Sequence, residues 1–258
     1  CDDMIDISDD DAEKAKYKGL VDILIPLAKG YVSDRAYDVC NIGMQVYGGY
    51  GYIREYPQEQ LVRDCRITMI YEGTNGIQAM DLLGRKLGLR KGEIFMHFLQ
   101  NVRATIQAAE KNPDLRALCE QLEAALNRYG EVAVFLTKKA MGADIKLAYS
   151  QAHPFLDVTG DIIMAWMLLW RAVVATEKLA AKPKKKDIAF YEGQIKTAEF
   201  FIQTELPLTF GKNSPGDALL TLKVGGLLGG HSGAEIHKIR GNANKLLVRC
   251  LTHLSSRF

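Results

Sequence analysis

The chain has 258 residues, of which 48% are hydrophobic and 25% charged, and a formal net charge of +2. That length fits one large domain or two modest ones, the composition is that of an ordinary soluble globular protein, and the near-neutral charge gives no electrostatic reason to expect nucleic acid. Cysteines stand at positions 1, 40, 65, 119 and 250 with no Cys-x-x-Cys pair, which argues against a zinc ribbon or a disulfide framework and fits a reducing cytoplasm.

The first residues, Cys1 to Asp11, are acidic and lack an initiator Met. They do not read as a secretory signal, whose start is basic, and the chain is expected to be a piece of a longer protein. Ala36, Val39, Cys40, Gly43, Met44 and Tyr47 recur at helical spacing. This predicts a first amphipathic helix, capped by Ser33 or Asp34 and stopped by Gly48-Gly49. The cluster Gly48-Gly49-Tyr50-Gly51 is either a plain helix end or a place where backbone meets a phosphate or a partner chain.

Pro57 suits the first turn of a short helix. Arg63 and Asp64, further on, suit a structural ion pair or a ligand contact. The apolar run Ile67-Thr68-Met69-Ile70-Tyr71 is expected to be extended and to lead into Glu72-Gly73-Thr74-Asn75-Gly76. Glu72 has two readings. It is a first-turn carboxylate that favours the following helix dipole, or a base whose proton affinity is raised by Met69, Ile70 and Tyr71 in a dry pocket.

A second helix follows from Ile77, Met80, Leu83, Gly84 and Leu87, and a third from Leu115, Leu118, Cys119, Leu122, Leu126 and Tyr129. Further helical stretches are expected at about 94–110, 131–150, 155–180 and 188–206. The greasiest segment, Ile162 to Trp170, is stopped by Arg171. It is short of the roughly 20 residues a membrane span needs, so it is read as a buried helix. Ala181 to Lys186 is a charged connector containing Pro183, solvated or in contact with an anion. Period-2 alternation is almost absent before residue 212, so the fold class is all-α, an antiparallel helix bundle with a second helical bundle. Breaks at Gly88–Gly92 and Gly211–Gly216 divide the chain into 1–92, 93–212 and 213–258. The last part reads as strand, Gly-rich turn and helix, a short α/β-like tail.

Several short motifs occur in order: Gln45-Val46-Tyr47-Gly48-Gly49-Tyr50-Gly51-Tyr52, Glu55-Tyr56-Pro57, Arg63-Asp64-Cys65-Arg66-Ile67 and Ile70-Tyr71-Glu72-Gly73-Thr74-Asn75-Gly76-Ile77-Gln78. Together they resemble the C-terminal signature of acyl-CoA dehydrogenases. With Asp81 to Leu87 they look most like the long, methylthiopropionyl-CoA dehydrogenase-like subfamily, whose extra C-terminal helical domain 93–212 is similar to. The resemblance implies an FAD enzyme whose N-terminal helical and middle β-barrel domains, and the first helix of its C-terminal domain, lie outside this sequence, leaving the isolated chain inactive. It implies that Glu72 removes a Cα proton from an acyl-CoA thioester while a hydride passes from Cβ to flavin N5. Tyr71 and Gly73 would line the thioester pocket. Gln45, Val46, Tyr47, Gly48 and Gly49 would contact the ADP part of a neighbouring subunit's FAD, and Thr74, Asn75 and Gly76 would meet FAD of the same subunit. A homodimer or homotetramer, an electron-transferring flavoprotein as acceptor and a cytoplasmic location follow from the same likeness, with no membrane span and no metal site.

Residues 215 to 252, with Gly229-Gly230-His231-Ser232-Gly233 and His237, resemble instead the lid domain of aminoacyl-histidine dipeptidases of the zinc-dependent M20 family. No metal-ligand set accompanies His231 and His237, so neither is assigned to a metal. An M20-type dipeptidase fragment and a non-catalytic helical dimerisation module are the alternative functions.

Overall fold

The computed structural model describes residues 2–209, the side chains of 2–4 and 205–209 apart. The peptidase-like tail therefore lies outside the described residues. Among these, every regular element is helical: α1 (Asp2–Ile7), α2 (Asp11–Pro26), α3 (Val32–Tyr47), α4 (Gly49–Tyr52), α5 (Gln58–Thr68), α6 (Asn75–Asp81), α7 (Glu93–Ala109), α8 (Arg116–Ala140), α9 (Ile145–Ser150), α10 (Ala152–Ala180) and α11 (Lys185–Thr209).

Helix α2 is the element that periodicity did not disclose. Asp10 caps it, accepting from the Ala12 N–H at 2.8 Å, and it buries Gly19, Leu20, Ile23 and Pro26. Its last turn widens into a π-helical segment, Leu27–Tyr31, that passes without a break into α3. The expected cap at Ser33 or Asp34 is thereby corrected. Tyr31 already has helical dihedrals (φ −60°, ψ −45°), so α3 has no free first turn to cap. Ser33 instead donates to the Gly30 carbonyl at 3.1 Å. The stop at Gly48 holds: its φ is +63°, and its N–H donates to the Gln45 carbonyl at 3.2 Å.

The centre is α10. Pro154 stands in its first turn, where its missing N–H costs nothing. The helix packs against α6, α7, α8, α9, α11 and the π-helical segments Leu27–Tyr31 and Leu82–Lys86. Ala152–Ala180 reaches a mean hydropathy of 1.5 over its most apolar 18 residues, long and apolar enough by length and composition to cross a membrane. Half of that stretch is buried against the other helices. Phe155, Leu156, Ile162, Leu168 and Leu169 meet Phe98, Val102 and Ile106 of α7 and Leu122, Leu126 and Tyr129 of α8 in one core. Small residues let the helices close in. A Cβ added at Gly160 would lie 2.1 Å from the Tyr31 ring, which Asp161 holds by accepting from its hydroxyl at 2.8 Å. Gly160→Ala is therefore expected to cost about 1–3 kcal/mol, read from urea denaturation; an unchanged midpoint would show that Tyr31 moves aside freely.

At Gly88–Gly92 the chain bends. Arg90, Lys91 and Gly92 all take positive φ, and α7 beyond it packs back on α2. Residues 1–211 accordingly form one compact unit. The stretches expected at 115–129 and 131–150 are also redistributed: α8 runs through Gly130 to Ala140, and α9 starts only at Ile145. Cys40, Cys65 and Cys119 are free thiols, and burial pushes the Cys119 thiol up to about 11.

Candidate functional site

The run Ile67–Tyr71 is not extended. Helix α5 continues through Thr68, and turns follow, with Ile70 N–H donating to the Ile67 carbonyl at 2.9 Å and Tyr71 N–H to the same oxygen at 3.1 Å. The cause is connection length. Only six residues link α5 to α6, and the Asn75 N–H reaches back to the Met69 carbonyl at 3.2 Å. A strand would carry the chain past that bond.

The reversal is completed by two left-handed residues, Glu72 (φ +55°) and Gly73 (φ +82°). Thr74 then opens α6 with ψ +159° and no side-chain capping bond. Glycine takes that geometry freely, whereas a side chain there costs roughly 1–2 kcal/mol. A strained glutamate at a helix start is the kind of residue that functional sites retain. Gln78 Nε2 steadies the bend, donating to the Glu72 carbonyl at 3.3 Å.

Glu72 and Gly73 border an open concavity of about 510 Å³, lined also by Asp22, Ile25, Ile77, Asp81, Arg85 and Lys86. Its charges are largely satisfied within the wall. Arg85 grips Asp81 at 2.6 and 3.0 Å, and the buried Lys86 ammonium donates to Asp22 at 3.0 Å. The dry pocket expected around Glu72 is not built by its neighbours. Glu72, Ile70 and Tyr71 are exposed, and Tyr71 is not part of the concavity's wall. Periodicity and motif gave no sign of Asp22 or Lys86 as wall residues; a lysine at a core-facing helical position was the available signal.

Asn75 turns inward. Its amide donates to Gly30 O (3.1 Å), Ser33 Oγ (2.9 Å) and Asp34 Oδ1 (2.8 Å), while its oxygen accepts from Lys29 Nζ at 2.7 Å. This residue ties the start of α6 to the α2–α3 helix. Asn75→Ala is expected to cost about 1–3 kcal/mol by stranding buried partners, in protein free of any cofactor. Thermal melting checks this; an unchanged melt would show that water replaces the amide.

Gln45, Val46, Tyr47, Gly48 and Gly49 lie at the far end of α3 and share no wall with Glu72. All five are exposed, Val46 at 79%. A Cβ at Gly48 or Gly49 would meet nothing within 4 Å, so a ligand or another chain can approach this backbone closely. Val39, Ile42, Tyr50 and Tyr52 extend the same exposed apolar surface. Arg63 and Asp64 pair within α5 rather than with each other, Arg63 with Glu59 at 3.8 Å and Asp64 with Gln60 at 2.7 Å. The open glycine backbone and the uncapped start of α6 both suit a phosphate-bearing dinucleotide such as FAD, because backbone N–H groups and a helix N-terminus favour anions. The Asn75 side chain is hydrogen-bonded within the chain.

A family model described as "Acyl-CoA dehydrogenase, C-terminal domain" matches residues 8–87, and one described as "Acetyl-CoA dehydrogenase C-terminal like" matches residues 98–215. A butyryl-CoA dehydrogenase of Syntrophomonas wolfei is 35% identical over 204 residues, covering 78% of this chain and 33% of its own. A 3-methylmercaptopropionyl-CoA dehydrogenase of Ruegeria pomeroyi is 34% identical over 216 residues, 82% of this chain and 36% of its own. An acyl-CoA dehydrogenase from Bacillus anthracis, solved in complex with FAD, shares the fold with a TM-score of 0.54 and 21% identity over 72% of this chain and 31% of that one. The chain thus spans about a third of the length of the curated relatives it matches. The two matched stretches, residues 8–87 and 98–215, thus identify this chain as belonging to the C-terminal region of the acyl-CoA dehydrogenase family.

Proposed function

We propose that this chain supplies the base-bearing part of an FAD-dependent acyl-CoA dehydrogenase that removes hydrogens from Cα and Cβ of an acyl thioester. The observation that carries this reading is Glu72, a carboxylate held on a left-handed bend at the mouth of an open concavity, immediately before a helix N-terminus. Its role is to accept the Cα proton. FAD, when bound, supplies the acceptor for the Cβ hydride.

The exposure of Glu72 in this chain has a consequence for the mechanism. A carboxylate in water is a weak base for a thioester Cα–H. It strengthens when substrate and the remaining two thirds of such an enzyme cover the concavity and exclude water. Ile25 and Ile77, both about half exposed beside it, offer apolar surface for that closure. Gly73 lines the thioester side, with Tyr71 joining when a substrate is present. Gly48, Gly49, Thr74 and Gly76 would hold FAD through backbone and hydroxyl groups. Val46 and Tyr47 would seat a second subunit whose FAD they touch, in a homodimer or homotetramer. Electrons would leave to an electron-transferring flavoprotein in the cytoplasm.

The test uses the full-length, flavin-loaded protein that carries this segment. Saturated acyl-CoA thioesters, mixed with it anaerobically, are expected to bleach the oxidised flavin band. Flavin that stays oxidised across short, long and branched acyl chains would sink the proposal.

A further inference from the structure

A cluster away from the Glu72 concavity has chemistry that acyl-CoA oxidation does not use. His153 and Asp157 stand four residues apart on α10, hence on one face of that helix. Asp34 of α3 faces them. One imidazole nitrogen and one oxygen from each carboxylate all lie within 4.8 Å of one another. We propose that Asp34, His153 and Asp157 form a divalent-metal site, suited to Zn2+, that staples α3 to α10.

Three observations carry this. First, Asp34 Oδ2 is buried and accepts no hydrogen bond, although a buried carboxylate oxygen without a partner is costly. Second, that oxygen stands 3.4 Å from His153 Nε2. A charge-assisted hydrogen bond between imidazolium and carboxylate closes to about 2.7–2.9 Å, so the pair has not closed on itself. Two ligands of one tetrahedral zinc, each bonded at about 2.0–2.1 Å, stand about 3.3 Å apart, close to the spacing of this pair, and the Asp157 oxygen lies within 4.8 Å of both. Third, the other Asp34 oxygen accepts from Asn75 Nδ2 at 2.8 Å. Outer hydrogen bonds of this kind orient carboxylates on metals, and this one leaves Oδ2 aimed at His153.

Besides His153, Arg35 is the cation felt by Asp157, and it is drawn to Asp161 as well. Asp161 accepts from the Tyr31 hydroxyl at 2.8 Å, and Arg35 lies over the Tyr31 ring at 5.0 Å while pairing with Asp38 at 3.6 Å. Lys29 is committed to Asn75 at 2.7 Å. His153 is about half exposed (48%), so an ion can enter from solvent, and water can complete the coordination. A metal here would lock α3, α10 and, through Asn75, the first turn of α6. The site is structural in kind and independent of whether Glu72 is a base.

The test is isothermal titration of the chelator-stripped full chain with zinc chloride, together with His153→Gln and Asp157→Asn. One Zn2+ per chain is expected, with affinity lowered at least tenfold by each substitution. Zinc should also raise the melting temperature of the unsubstituted chain and of neither variant. Both variants alter partly exposed side chains, and their metal-free helical circular dichroism establishes that they fold. Absence of binding, or binding that both variants retain, overturns the site; in the second case other groups such as His231 and His237 hold the ion.

Discussion

If Glu72 is the proton acceptor proposed above, replacing it with Gln is expected to lower turnover of the full-length protein by about 10²–10⁴-fold, the usual contribution of a positioned acid–base group, and to leave acyl-CoA binding nearly unchanged. Gln preserves the shape and removes only the proton-accepting oxygen. The side chain is exposed, so its stability role is small and a loss of rate would not come from unfolding. Glu72→Gly separates the two effects further. Glycine takes the φ of +55° found at this position without strain, so this variant should gain up to about 1 kcal/mol of stability while losing turnover like Glu72→Gln. Steady-state rates and thermal melts on both variants decide the matter. Full turnover in Glu72→Gln would mean that another group takes the proton, and a less stable Glu72→Gly would mean that the bend is held by the side chain.

Tyr129→Ala is expected to cost about 3–5 kcal/mol, the range for truncating a large buried aromatic, and to lower the melting temperature by on the order of 10 °C. The ring is fully buried at the meeting of α7, α8 and α10. It stacks on Phe155 at 5.4 Å and 11°, and tilts against Phe95 at 5.7 Å. Its hydroxyl shares a 3.1 Å hydrogen bond with Thr159, which itself donates to the Phe155 carbonyl at 2.6 Å. Burial holds the phenol well above its ordinary ionisation range, so it stays a neutral hydrogen-bonding group. Tyr129→Phe keeps the packing and removes one hydrogen bond, at a cost of about 1 kcal/mol. Equal losses for Phe and Ala would place the energy in the hydroxyl and contradict the packing account. These residues all lie beyond the bend at Gly88–Gly92, and the helices before it enter the same core through Leu20, Ile23 and Leu82.

The helical periods of α7, α10 and α11 were legible because each buries a stripe against neighbours, and such a stripe repeats every three to four residues; α3 shows the same period, with its Val39, Ile42 and Val46 exposed in this chain. Helix α2 was not legible. Its larger aliphatic residues crowd into Leu20–Ile25 instead of repeating along its length, and it ends in a proline before the π turn at Leu27–Tyr31 carries it into α3. The segment 67–71 was misread for a related reason. An apolar β-branched run fits a strand locally, but the Asn75 N–H bonded to Met69 O at 3.2 Å leaves room only for turns.

For the candidate site the division is similar. By itself the sequence determined the helical class of the described residues, the helix stop at Gly48 and, through the order of its short motifs, the family. Only the tertiary structure decided what surrounds those residues. It turned Asn75 inward, placed Asp22 and Lys86 in the wall beside Glu72, and brought Asp34 to His153 across more than a hundred residues of chain. Local pattern is set by interactions within a few residues along the backbone. Burial, ion pairing and the company of a carboxylate such as Glu72 depend on which helices meet, and that is fixed by packing between positions distant in sequence.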